Sequence, residues 1–205
     1  MYIVLTADVV DSKKNPRKTE DRLKLLDTFK MEGMLTQFKP LKGDEIQGVL
    51  QDTKRLPFFL RTLRYLILPL KLRVGIGFGE IDINLDSKNP WEMNGQAFHR
   101  ARESLIKLKR EKKSSTFFST GIIDLDNILN AFYLLYDTVI EGWTEKQWEA
   151  LMVYEREGTF KKASLILDVH ASNVFKFCER ASWKEISKAE DLMKKIIEQS
   201  LFRYD

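Results

Sequence analysis

From Lys71 to Ile81 the chain alternates Leu72, Val74, Ile76 and Phe78 with Arg73, Gly75, Gly77 and Gly79. Period-two alternation is the pattern of a β-strand, and one face of this strand carries almost no side chain. Glycine lets something come close to the backbone. The sequence leaves open whether that is a ligand, a helix or a second subunit. Any fold for this chain has to supply the neighbour.

The segments around this strand alternate in type. Tyr2 to Ala7 is an apolar, β-rich run read as a buried strand. Apolar residues at Leu23, Leu26, Phe29 and Met34 predict a helix from Thr19 to about Leu35. Phe38 to Leu41 and Ile46 to Leu50 flank Lys42-Gly43-Asp44-Glu45, a hairpin signature with Gly at the turn. Leu56 to Leu68 reads as a helix ended by Pro69, and further helices are expected over Gly95 to Lys109 and Asp124 to Glu141. Ser115 to Ser119 is a strand candidate. The order β-α-β-β-α-β-α-β predicts an α+β fold: a ferredoxin-like α/β sandwich with its helices on one face.

After Trp143 only helical patterns remain. Thr144 with Gln147 forms a capping box before Glu145 to Tyr154. Phe160 to Leu167 and Ser172 to Ala181 are short helices joined at Asp168, and a final amphipathic helix follows Trp183. The expected division is residues 1–140 as an α/β domain and 141–205 as an all-α domain. With 34 Lys/Arg and 30 Asp/Glu the net charge is +4. Residues 141–205 hold 11 Lys/Arg against 12 Asp/Glu, so the positive excess lies in the first two-thirds. The single Cys178 excludes an internal disulfide framework. No apolar run is long enough for a membrane span, and the cytoplasm is the expected compartment, with no membrane partner.

Two acidic motifs carry the chemistry: Thr6-Ala7-Asp8-Val9-Val10-Asp11-Ser12 and Gly43-Asp44-Glu45. Each sets a carboxylate beside a strand that belongs in a core, and a buried carboxylate is costly unless paired. If one sheet brings them together, Asp8, Asp44 and the Val9 carbonyl offer hard oxygen ligands to Mg²⁺ or Mn²⁺. Equally, Asp8 and Asp11 suit a loop cap and Asp44 a turn. Lys13, just past Asp8, is placed to reach a triphosphate.

Residues 2–119 resemble the class III nucleotidyl cyclase domain. The resemblance rests on Asp8 with Ser12, Gly43-Asp44, the glycine strand from Arg73 to Glu80, and the Gly95-led helix through Glu103. It implies a nucleotide with Mg²⁺ or Mn²⁺, metal ligands Asp8, Val9 and Asp44, and nucleotide contacts at Lys13, Lys42, Gly43, Arg73 and His99. Counted from Gly95, His99 and Glu103 stand where that family carries the Asn and Arg that stabilise its transition state. A carboxylate there repels developing phosphate charge. The expectation is therefore binding without cyclisation, with only His99 and Arg100 left as catalytic candidates.

Thr159 to Phe177 resembles a helix-turn-helix of the sigma-factor or response-regulator sort. Ser164 is expected at the helix crossing, Asp168 at the left-handed turn position, and Val169, Val174 and Phe177 as apolar anchors. Ser172, Asn173, Lys176 and Arg180 are the expected DNA contacts. A helical hairpin used only for packing fits the local net charge of −1. The two parts together, with Gly-Asp-Glu-Ile-Gln and Gly-Gln-Ala-Phe-His-Arg-Ala-Arg-Glu, resemble the bacterial SatD family over essentially the whole chain. The resemblance implies a homodimeric regulator that binds a nucleotide and DNA. The competing reading is a metal-dependent enzyme acting on a nucleoside triphosphate, with the helical tail serving assembly.

Overall fold

The computed structural model describes residues 1–40, 43–111 and 115–201. Among the described residues five strands form one sheet: β1 (Tyr2–Val9), β2 (Lys39–Pro40), β3 (Glu45–Leu50), β4 (Leu72–Gly79) and β5 (Thr116–Ser119), in the order β2-β3-β1-β4-β5. β1 runs antiparallel to both neighbours, and β5 joins β4 in parallel. The helices are α1 (Pro16–Thr28), α2 (Leu56–Ile67), α3 (Gln96–Glu111), α4 (Ile123–Glu141), α5 (Glu145–Glu157), α6 (Phe160–Leu167), α7 (Ala171–Arg180) and α8 (Trp183–Leu201). The fold is α+β. Its first four strands have the split βαβ order of a ferredoxin-like sandwich.

The helices do not share one face, contrary to the expectation from sequence. Odd-numbered residues of β1, Ile3, Leu5, Ala7 and Val9, join a core with α1, α2, α4 and the C-terminal helices. Val4, on the other side, packs with Val49, Ala97, Phe98 and Ala101. The opposite face is thus covered by α3. The glycine strand explains this placement. A Cβ on Gly77 would lie 2.1 Å from the Ala97 carbonyl oxygen, and one on Gly75 would lie 2.3 Å from that of Ala101. The glycines and the two alanines let a helix lie directly on the sheet, so helix packing occupies the close approach.

Two smaller differences have local causes. α1 ends at Thr28, seven residues before the expected Leu35, because Phe29 takes an extended backbone as C-cap and Gly33 a left-handed one. Leu41, expected at the end of a strand, lies outside the described residues. The capping box at Thr144 and Gln147 is present.

The expected boundary near Glu141 coincides with the end of α4, yet the apolar core continues through it. One cluster runs from Ile3 to Ile197, and α8 returns to pack on α2 and α4. A second link is ionic. Arg61 on α2 is 1% exposed and binds Glu155 of α5 through Nη1 at 2.7 Å and Glu190 of α8 through Nε at 2.8 Å. The Tyr136 hydroxyl of α4 donates to the same Glu190. Burial works to lower the Arg61 pKa, but hydrogen bonds and charge from Glu190 outweigh it and raise it.

Candidate functional site

The α3-facing side of β1 becomes more polar along the strand, from Val4 through Thr6 to Asp8. Thr6 Oγ1 donates to Gln47 Oε1 at 2.9 Å, and Gln47 Nε2 to the Pro90 carbonyl at 3.0 Å. Asp8, 5% exposed, lies between Glu45 on β3 and Arg73 on β4 in the strand register. α3 runs antiparallel to β4, so its last turn reaches this end of the sheet. Lys109 Nζ lies 3.2 Å from Asp8 Oδ2 and 2.6 Å from Glu45 Oε1. Arg73 Nη1 lies 3.4 Å from Asp8 Oδ2, and Arg102 Nη1 2.6 Å from Glu45 Oε2.

Asp44 joins the cluster from the hairpin. Its backbone carbonyl accepts the Val9 N–H at 3.2 Å, and its carboxylate accepts the Ser12 hydroxyl. It is close enough to disfavour ionisation of Asp8. Gly43 before it has φ +114°, a conformation that only glycine adopts without strain. Lys13 sits exposed on a 3₁₀ turn over 12–14, and Lys42 lies outside the described residues.

The electrostatics are unevenly satisfied. Burial pushes the Asp8 carboxyl above its usual range, although Lys109 and Arg73 pull it down. Burial acts the same way on Glu45, but its hydrogen bonds from Lys109 and Arg102 prevail and hold it below the ordinary value. Two buried polar atoms here have no partner among the described residues: Asp8 Oδ1 and Arg73 Nε. Such orphans are rare in a relaxed interior. The donor set fits Mg²⁺ or Mn²⁺, because Asp8 and Asp44 present oxygen only and Asp8 Oδ1 is unused. No group of three His, Cys, Asp or Glu gathers as a cage among the described residues. A cation here would therefore hold to one or two carboxylates and take its remaining ligands from water or phosphate, the habit of Mg²⁺. Lys109 and Arg73 repel a bare dication and favour one that arrives with an anion.

His99 and Arg100 are not part of this cluster. Ten residues separate His99 from Lys109, about 15 Å along a helix axis. The start of α3 thus faces the opposite end of the sheet from Asp8. His99 is exposed beside Asp82, Asn94 and Glu103 in an open depression. Arg100 spends its guanidinium on backbone, donating through Nη1 to Phe78 O at 2.7 Å and Thr120 O at 2.9 Å. Sequence reasoning missed Lys109, Arg102 and Glu45. The signal was the spacing of seven between Arg102 and Lys109, two turns along one face of the helix that covers the glycine strand.

The second set of expected residues lies on α7. α5, α6 and α7 pack mutually, and a three-residue turn, 168–170, joins α6 to α7. Asp168 is left-handed at φ 50°, as its turn position requires. His170 caps α7 by accepting the Ser172 N–H. Val174 and Cys178 are buried, Phe177 is half-buried, and Ser172, Asn173, Lys176 and Arg180 are all exposed. Two expectations change. Ala163, fully buried, is the small residue at the crossing instead of Ser164, and Val169 is 37% exposed rather than buried as an anchor.

An α+β sheet protein with an uneven ion cluster at one sheet end, continuous with a packed helical C-terminal segment, is the class these features define. The chain belongs to the SatD family, whose family model matches residues 2–199. No curated protein matches it. No described helix is long and apolar enough to cross a membrane.

Proposed function

We propose that this protein is a one-component cytoplasmic regulator that binds DNA through α6 and α7 and a phosphorylated small molecule, with Mg²⁺ or Mn²⁺, at the Asp8 cluster. The observation that carries the reading is the outward face of α7. Ser172 and Asn173 stand in its first turn, and Lys176 and Arg180 follow at helical spacing, all exposed above the buried Val174 and Cys178. In a helix-turn-helix the first-turn residues read base edges in the major groove, while later cations hold phosphates. The chain acts as a homodimer, since half-sites are read in pairs.

The Asp8 cluster supports a nucleotide because it combines open carboxylate oxygens with Lys109 and Arg73. Such a mixture suits a metal–phosphate pair better than either alone. Occupancy there biases DNA affinity only if it favours one relative placement of the two parts. α5, which packs on α6 and α7 and is pinned to α2 through Arg61, is the element through which that bias would pass.

The test is fluorescence anisotropy with mixed-sequence duplex DNA over a salt series. Lys176→Ala with Arg180→Ala is expected to weaken binding uniformly and lower the salt slope by about two. Ser172→Ala with Asn173→Ala is expected to reduce discrimination among duplexes selected for tight binding. Binding that ignores all four residues would sink the reading. Metal-dependent triphosphate turnover lost in Asp44→Asn, without DNA binding, would replace it with the enzyme.

A further inference from the structure

α4 has three faces, and the fold uses two. Leu125, Leu129, Tyr133, Tyr136 and Ile140 are buried in the core. A second face closes the sheet. β5 is an edge strand, and its outward N–H groups, with that of Thr120, go to α4 side chains. Asp137 accepts from Thr116 at 2.6 Å, Asn130 from Phe118 at 2.7 Å and Asp126 from Thr120 at 2.6 Å. Asn130 also donates to the Phe118 carbonyl at 2.9 Å. An edge occupied in this way is closed to a further strand.

The third face turns away from both. Ile123, Ile128, Leu134, Leu135 and Val139 are between 45% and 78% exposed. Within residues 127–139 the one charged side chain is Asp137, which is buried against Arg64. A helix face left in water is ordinarily polar. At 100° per residue these five fall on one side of the helix, centred on Ala131. Such an apolar stripe marks a contact surface.

Charge and symmetry indicate what covers it. α4 carries no Lys or Arg, so nothing on it draws an acidic partner or an anionic membrane. The stripe reads alike in both directions. Ile128 and Leu134 lie three residues either side of Ala131, and Ile123 and Val139 lie eight either side. A two-fold axis at Ala131 sets Ile128 against Leu134 of a second copy, and Ile123 against Val139, with a small side chain where the helices cross. Asp124 then faces Thr138, while Asp126 and Asp137 stay on β5, so no like charges meet. Self-complementarity of this kind is the requirement of a two-fold interface. The stripe is about 24 Å long and one helix wide, less than the roughly 800 Å² per partner of a standard interface. The pairing is therefore reversible.

We infer that this face of α4 is the interface between two copies of this chain, the helices crossing antiparallel at Ala131. The inference rests on the homodimer reading and names its surface.

Sedimentation velocity of the full chain over a concentration series tests it. Wild type is expected to pass from monomer to dimer in the micromolar range. Leu135→Lys puts a charge at a position 71% exposed, and is expected to raise the dissociation constant about tenfold or more. Leu25→Lys, also at an exposed position but on α1, should leave it unchanged. Ala131→Cys is expected to give a disulfide-linked dimer on mild oxidation, because a close helix crossing brings the two positions within disulfide reach. The native Cys178 is buried. A wild type that stays monomeric at every concentration would overturn both this assignment and the homodimer reading. A dimer indifferent to Leu135→Lys, one weakened equally by Leu25→Lys, or no crosslink through Ala131→Cys would overturn the assignment alone.

Discussion

The protein carries two ion clusters of similar composition and opposite completeness. Around Arg61, one guanidinium meets Glu155 and Glu190, and the Tyr136 hydroxyl completes Glu190. None of these side chains has a buried atom lacking a partner among the described residues. Around Asp8, two cations and Glu45 gather at the end of a sheet, and Asp8 Oδ1 and Arg73 Nε remain unpaired among the described residues. A closed cluster holds elements together. An incomplete one, buried at a cost, has capacity left for something else.

That contrast is most severely tested at Arg61. Arg61→Ala leaves two largely buried carboxylates facing each other, and a broken buried pair typically costs about 3–5 kcal/mol. Urea unfolding should show a loss of that size. Arg61→Met combined with Glu155→Gln and Glu190→Gln should restore most of it, because the charges are then removed together. A small loss in the single variant would make the cluster ornamental.

A middle-sized effect concerns pH. Burial pushes the Glu155 carboxyl above its ordinary value despite Arg61. A carboxyl raised in the folded state binds more protons there than when unfolded, so its share of stability grows as pH falls through the raised value. The gain levels off below the ordinary carboxylate range. The stability difference between wild type and Glu155→Gln should therefore move towards wild type between pH 7 and pH 4.5, by about 1 kcal/mol per pH unit of displacement. Movement the other way would mean that Arg61 dominates burial at this site.

The smallest stability effect is expected at the sheet end. Lys109→Met removes a half-buried ammonium, but Asp8 keeps Arg73 beside it and burial already favours its protonated form, so the loss should be about 1 kcal/mol or less. Its melting temperature should stay within a few degrees of wild type while phosphate-ligand binding weakens. A loss rivalling that of Arg61→Ala would make the two clusters alike.

Much of the fold was legible because its elements are strongly patterned. The alternation in β4, the apolar spacing in α2 and the capping box of α5 each depend on near neighbours in the chain. The glycine face also announced a close neighbour, yet local pattern could not say which. Only the approach of Ala97 and Ala101 to Gly77 and Gly75 identifies it as α3. The failures are long-range for the same reason. The spacing of seven puts Arg102 and Lys109 on one side of α3, but it cannot say that Lys109 meets Asp8 a hundred residues away, because that contact follows from α3 running antiparallel to β4. The same direction separates His99 from the acidic pair. Ser164 was misjudged because one residue of rotation decides which side of a two-turn helix is buried, and Val169 because it lies in the turn after that helix.

The central claim is that Asp8 is kept as a binding group at the expense of stability. The most direct measurement is the melting temperature of wild type and Asp8→Asn, with and without a nucleoside triphosphate and Mg²⁺. Bound ligand raises the melting temperature by mass action. Wild type should show a metal-dependent rise, absent in Asp8→Asn, with the unliganded variant melting within a few degrees of wild type. An equal rise in both proteins, no rise in wild type for any nucleotide, or an unfolded variant would contradict it.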